Sequence, residues 1–158
     1  LMQQSDDALV NLRVDQIGLF QLHCVDPNTP IEVSIESLAK AQAHGRIRHI
    51  GVSNVTVEQL RAAQSMAPIA SVQNRYNVLE RDQDAMIDLT ASEGIAFIPY
   101  GPLGAHPMQK GSPLAAHAGQ GTRTGTQSAL RALLDRSPNM VVIPGTTSIK
   151  HLEENMGA

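Results

Sequence analysis

Aromatic side chains are scarce: the 158 residues hold no tryptophan, two tyrosines and two phenylalanines. Aliphatic residues must therefore fill any core. Hydrophobic residues at 42% against 17% charged suffice for one and exclude a disordered chain. The lone Cys24 excludes an internal disulfide and a cysteine-rich metal site, which fits a reducing, cytoplasmic setting. Positive charge is not in excess. Lys plus Arg is 12 against 15 for Asp plus Glu, a formal net charge of −3, so nucleic acid is not an expected partner. No apolar run approaches the roughly 18–20 residues of a membrane span, and none is expected. Leu1–Asp7 has neither a basic n-region nor an apolar h-region, so a secretory signal is not expected. Without one, the triplet Asn54-Val55-Thr56 carries no weight as a glycosylation site. The length suits one domain or a piece of a larger one.

Short β-rich runs are present: Gln16–Leu22, Ile47–Val52, Ile69–Val72, Ile95–Ile98 and Met140–Ile143. They are nearly continuous in Ile, Val, Leu and Phe, as strands covered on both faces of a parallel sheet are. Helical patterns alternate with them. Ser5–Leu12 reads as a helix leading into the first strand. Thr29, Pro30 and Glu32 predict a capping box for a helix whose Ile31, Ile35, Leu38 and Ala39 share a face and which Gly45 stops. Thr56 and Gln59 repeat the box spacing, and Pro68 follows that helix. Asp82 is the expected cap of a helix over Gln83–Glu93, stopped by Gly94. Gly125–Arg136 is helical up to Ser137-Pro138, and another helix begins near Ile149.

A helix followed by five strand–helix units implies a parallel α/β sheet with right-handed crossovers. An open doubly wound sheet and part of a (β/α)8 barrel both fit. No glycine-rich phosphate loop follows a strand. Gly119, Gly121 and Gly125 come nearest and read as flexible loop within the long irregular connection 101–125. In either architecture chemistry gathers at the carboxyl ends of the strands. There the sequence places His23, Ser53-Asn54, Gln73-Asn74, Tyr100-Gly101-Pro102 and Pro144–Ser148. These are neutral hydrogen-bonding groups, one imidazole and one aromatic ring. Neither a carboxylate pair, a metal-ligand spacing nor a Ser-His-Asp arrangement is among them. Asn54, Gln73 and Ser53 suit a carboxamide, and Tyr100 offers a flat face. Thr146, Thr147 and Ser148, just before a helix start, offer donors to a phosphate.

Five segments in order carry a resemblance. They are Leu19–His23; Gly45 with Ile47-Arg48 and Ile50–Asn54; Val72–Asn74 with Tyr76-Asn77; Pro99–Gly104; and Ile143–Thr146 with Glu154-Asn155. Together they resemble the aldo-keto reductase superfamily, and its bacterial oxidoreductase branch in particular, over nearly the whole chain. The resemblance implies a (β/α)8 TIM barrel. It also implies hydride transfer between a nicotinamide cofactor, NADPH or alternatively NADH, and the carbonyl of a small aldehyde or ketone substrate. His23 matches the histidine that orients the carbonyl. Ser53, Asn54 and Gln73 match the groups around the nicotinamide carboxamide, and Tyr100 the ring that stacks on the nicotinamide. Gly101, Pro102, Leu103 and Gly104 match the pyrophosphate loop. Gly145, Thr146, Thr147 and His151 match positions near the 2′-phosphate, and Glu154 and Asn155 those near the adenine.

The same resemblance implies that part of the active site is missing. The family's tyrosine proton donor, with its lysine and aspartate, lies on the first three strands, and the match here starts in the helix before the fourth. Residues 1–158 are thus expected to be a single incomplete oxidoreductase domain: the C-terminal portion, about strands 4 to 8, inactive alone and prone to associate through open edges. Gly145 and His151 stand where relatives often carry basic residues, with Lys150 nearby, and Ala132 where they often carry tryptophan. Two other readings are a nicotinamide-binding regulatory subunit resembling potassium-channel β subunits and a truncated, non-functional product. His44, His49, His106 and His117 read as surface or helix positions. Cys24 points away from His23, because strand neighbours face opposite sides.

Overall fold

The computed structural model describes residues 1–104 and 123–158; His106, His117 and most of the 101–125 connection lie outside them. The chain divides into two units, Leu1–Gln73 and Asn74–Ala158.

The first unit runs α1 (Met2–Leu12), β1 (Ile17–Leu22), α2 (Ile31–Ala43), β2 (Ile47–Ser53), α3 (Val57–Met66) and β3 (Ile69–Gln73). β1 pairs with β2 and β2 with β3, both in parallel, as the apolar runs predict. Register sets the two faces. Leu22, Val52 and Val72 stand in one row and are buried, as are Ile35, Leu38, Leu60 and Ala63 of α2 and α3. α2 packs against β2 and α3. One residue along, Gln21, Gly51 and Ser71 form a row on the opposite face. A Cβ on Gly51 would collide with Ser71 Oγ and lie 2.8 Å from Gln21 Cγ, so only glycine lets this row close up. Among the described residues, Gln21 Oε1 and Ser71 Oγ are the buried side-chain atoms with no hydrogen-bond partner.

The caps in this unit divide. Thr56 forms its box with Gln59: Gln59 N–H donates to Thr56 Oγ1 at 3.2 Å and Thr56 N–H to Gln59 Oε1 at 2.9 Å. Thr29 does not. Its hydroxyl donates to Asp26 Oδ2 at 3.2 Å, while Asn28 N–H donates to Asp26 Oδ1 at 2.8 Å. The Asp26 turn has taken the threonine, and α2 starts behind Pro30 with no side-chain cap. Gly45 follows the end of α2 at φ 75°, the left-handed conformation expected of a stop.

The second unit holds α4 (Asp84–Ser92), β4 (Ala96–Phe97), α5 (Gly125–Arg136) and α6 (Ile149–Met156). Tyr76 and Phe97 meet edge to face, centroids 6.2 Å apart at 87°, in a core shared with Ile87, Leu130 and Leu133. Asn139 donates to Thr90 Oγ1 at 3.0 Å and to Ile95 O at 2.7 Å, tying the end of α4 to the segment after α5. Asp82 does not cap α4: the N-cap is Gln83, whose side chain instead accepts from Asn74 Nδ2 at 2.8 Å. The run Met140–Ile143 yields a single parallel bridge from Met140 to Phe97 rather than a strand. Val141 N–H reaches Phe97 O at 2.9 Å, but Val141 and Ile143 are exposed and Pro144 has no N–H to extend the ladder. Likewise Ile95–Ile98 shortens to a strand of two residues.

Candidate active site

In the first unit, three strand ends are bound to one another by short polar links. β1 ends at Leu22 and delivers His23, whose side chain is exposed. Asn54, just past β2, donates from Nδ2 to His23 O at 3.0 Å and to Ser53 Oγ at 3.2 Å. Ser53 Oγ donates in turn to Gln73 O, at the end of β3, at 2.6 Å. The same carbonyl receives Asn54 N–H at 3.1 Å. Asn54 holds φ 56°, a left-handed conformation rare outside glycine and tolerated best by asparagine. That backbone turn is what aims its amide back across the strand ends.

The arrangement changes what each group can do. The single Ser53 proton is committed to Gln73 O and the residue is 3% exposed, so its hydroxyl acts as an internal link rather than a donor to a ligand. Together with His23, Gln73, Leu19, Phe20 and Gln21, Ser53 lines a cleft of about 460 Å³. The cleft therefore has an apolar wall and polar groups from one imidazole, two carboxamides and the already committed Ser53 hydroxyl.

In the second unit, the backbone of Tyr100 is held on both sides. Tyr100 N–H donates to Asn74 O at 3.1 Å and Tyr76 N–H to Tyr100 O at 3.4 Å, around a parallel bridge between Arg75 and Tyr100. Gly101 and Gly104 have φ of 61° and 76°, and Gly104 N–H closes on Gly101 O at 2.9 Å. This makes 101–104 a tight turn, with Pro102 buried and Gly101 exposed. Gly145, Thr146 and Thr147 are exposed ahead of α6. Thr146 Oγ1 accepts from Ser148 N–H at 3.1 Å, and Ser148 caps α6 by accepting from His151 N–H at 3.4 Å. His151, Glu154 and Asn155 are half-buried. Glu154 accepts the Thr124 hydroxyl through its carboxylate, and its carbonyl takes Gln127 Nε2 at 3.1 Å, so this residue braces the start of α5.

Polar groups to which the sequence pattern assigns no role sit beside Tyr100. Asn77 is 1% exposed and donates from Nδ2 to Glu80 Oε2 at 2.6 Å and to Gly101 O at 3.2 Å. Arg75 Nε donates to the same Glu80 oxygen at 2.8 Å. These two donors, Arg75 foremost, hold the Glu80 carboxyl below its ordinary range. The signal available in the sequence was the Asn77-x-x-Glu80 spacing of a side-chain-closed turn. Nearby, Tyr76 donates to Asp84 Oδ1 at 2.6 Å. Burial first, then this bond, raises the tyrosine above its usual value, while the tyrosine hydroxyl, helped by Arg136, lowers Asp84.

The pattern of the aldo/keto reductase family matches residues 1–123. The chain belongs to that family. Pyridoxine 4-dehydrogenase of Escherichia coli (strain K12) is 43% identical across all of this chain and 57% of its own length. The chain spans about half the length of the curated relatives it matches. Among solved structures, a thermostable aldo-keto reductase in complex with the inhibitor epalrestat superposes with a TM-score of 0.87 at 28% identity, covering 98% of this chain and 58% of its own. An aldo/keto reductase from Klebsiella pneumoniae, solved with NADP and acetate, shares the fold with a TM-score of 0.81 at 24% identity, over 96% and 56% of the two chains. These matches bear out the family. The narrower expectation, that the span is the C-terminal portion, has no support in them. Among the described residues no cluster of three metal-binding side chains occurs and no helix is long and apolar enough to cross a membrane.

Proposed function

We propose that these residues belong to a nicotinamide-dependent oxidoreductase, part of a (β/α)8 barrel, that reduces an aldehyde or ketone to an alcohol. The observation that carries the reading is the polar link from His23 through Asn54 and Ser53 to Gln73, set at three consecutive strand ends beside a cleft. A nicotinamide cofactor supplies hydride when bound. The donor set fits such a group: neutral amides, glycine-rich turns and a helix start that carries Lys150 and no acidic residue in its first turn.

In this reading the chain's own residues divide the work. Gln73, supported by Ser53 and Asn54, holds the carboxamide. Tyr100 presents its ring, and Gly101, Pro102, Leu103 and Gly104 let the backbone approach a pyrophosphate. Gly145, Thr146, Thr147 and His151 serve the ribose phosphate end, and Glu154 and Asn155 the adenine end. His23 donates a hydrogen bond to the substrate carbonyl, where negative charge grows in the transition state. The proton that neutralises the oxygen comes from a tyrosine outside these 158 residues. NADPH is the preferred cofactor in this proposal, with NADH the alternative, and the site is cytoplasmic.

The test is reduction of a panel of aldehydes and ketones, pyridoxal among them, followed by loss of NADPH absorbance. The intact protein is expected to turn over. His23→Ala is expected to lower kcat by about 100-fold or more, the usual cost of one lost oxyanion donor. The 158 residues expressed alone are expected to show no carbonyl-dependent NADPH oxidation. Turnover by that piece at the rate of an ordinary reductase overturns the assignment of the proton donor.

A further inference from the structure

We infer that Asn77, backed by Glu80 and Arg75, is a positioning residue for the Tyr100–Gly101 pair; the inference rests on the proposed role of Tyr100 against the nicotinamide. Both ends of the Asn77 amide are engaged, and they do different jobs. Oδ1 accepts from Leu79 N–H and Glu80 N–H, each at 3.0 Å, and so closes its own turn. Nδ2 anchors to Glu80 Oε2 at 2.6 Å and spends its other proton on Gly101 O at 3.2 Å, a residue 24 positions away. Arg75, paired with the same carboxylate, forms the parallel bridge to Tyr100.

Gly101 needs such an outside hold. At φ 61° it has no side chain to limit its rotation, and the next glycine, Gly104, is equally free at 76°. Pro102 has no N–H with which to anchor the turn. The turn's own bond, Gly104 N–H to Gly101 O, closes the loop without fixing it to anything else. Asn77 Nδ2 supplies that fixation. Ordering the loop before a ligand arrives removes an entropic cost from binding. The arrangement predicts a defect confined to the nicotinamide and pyrophosphate end.

Asn77→Asp separates the two jobs. It keeps an oxygen for Leu79 and Glu80 N–H and removes the donor to Gly101. Measured on the intact protein, this variant is expected to weaken NADPH binding about fivefold to tenfold, the scale of one lost hydrogen bond. Adenosine 2′,5′-bisphosphate, the other half of the cofactor, is expected to bind within about twofold of normal. Because the introduced carboxylate would face Glu80, the double variant Asn77→Asp/Glu80→Gln removes the repulsion, and the NADPH defect is expected to persist in it. Normal NADPH affinity in the folded variants, or equal weakening of both ligands, overturns the positioning role. Tyr100→Leu distinguishes the levels. If it weakens NADPH while Asn77→Asp does not, the positioning role alone falls. If neither Tyr100→Leu nor Asn77→Asp alters NADPH binding, or the unaltered protein binds none, the role of Tyr100 falls with it.

Discussion

Gly51 and Asn54, three residues apart, are constrained by opposite forces. Gly51 is limited by space. Gly51→Ala would drive a Cβ into Ser71 Oγ and Gln21 Cγ. It is expected to cost about 1–3 kcal/mol, the usual penalty for overpacking, read by chemical denaturation. Ser71→Ala removes a buried hydroxyl that has no partner, so it is expected to leave stability unchanged or raised. The pair of substitutions is expected to be less damaging than their sum, since the closest clash goes with the hydroxyl. Asn54 is limited by backbone conformation. Asn54→Gly loses the amide bonds but keeps the turn, whereas Asn54→Ala loses the bonds and must also hold φ 56°. The alanine variant is expected to be less stable than the glycine variant by roughly 1 kcal/mol.

Elements in this chain are legible wherever the signal is local. The strands of the first unit, α3 with its capping box and the α5 span follow from apolar runs and cap spacing alone. Capping fails as a guide where a neighbour competes for the same side chain. Thr29 goes to Asp26, and Gln83 displaces Asp82 at the start of α4 while binding Asn74. Thr124 and Gln127 form a second box with the spacing of Thr56 and Gln59, at the start of α5. Thr56→Ala and Thr124→Ala are each expected to lower stability by about 1 kcal/mol in thermal unfolding. Thr29→Ala, with no cap to lose, is expected to cost less than half of that. A loss at Thr29 equal to the other two would mean that α2 depends on it after all.

Over the whole molecule, the carboxylates held below their ordinary range set the acid limb of stability. Glu80 and Asp84 are both lowered in the folded chain. The unfolded chain therefore binds protons first as pH falls. Their stabilisation is complete above the unfolded value, about 4, and is lost as pH drops through the lower folded values. Tyr76 acts in the opposite sense: its raised value favours the folded chain until pH climbs past about 10. A denaturation series is expected to show the midpoint falling below pH 4, with Glu80→Gln and Asp84→Asn each flattening that slope. An unchanged slope in both variants would remove these two carboxylates from the acid response. The opening 73 residues and the remainder form separate compact units, a division that composition along the chain does not mark.

What the sequence determined by itself was the alternation of strands and helices, their parallel order and the residue types at the strand ends. Those depend on apolar periodicity, β-branching and steric limits acting within a few residues of each position. Only the tertiary structure decided which of those end groups face a cleft and which are already used. Ser53 bonds inward to Gln73 O, and Asn54 bridges two strands, because parallel register brings residues 20 to 31 positions apart within hydrogen-bonding distance. Met140–Ile143 carries the composition of a strand yet forms one bridge, since a ladder needs a partner backbone as well as a favourable sequence. Asn77 reaches Gly101 for the same reason: a hydrogen bond is decided by where two chain segments meet, and no local pattern encodes that meeting.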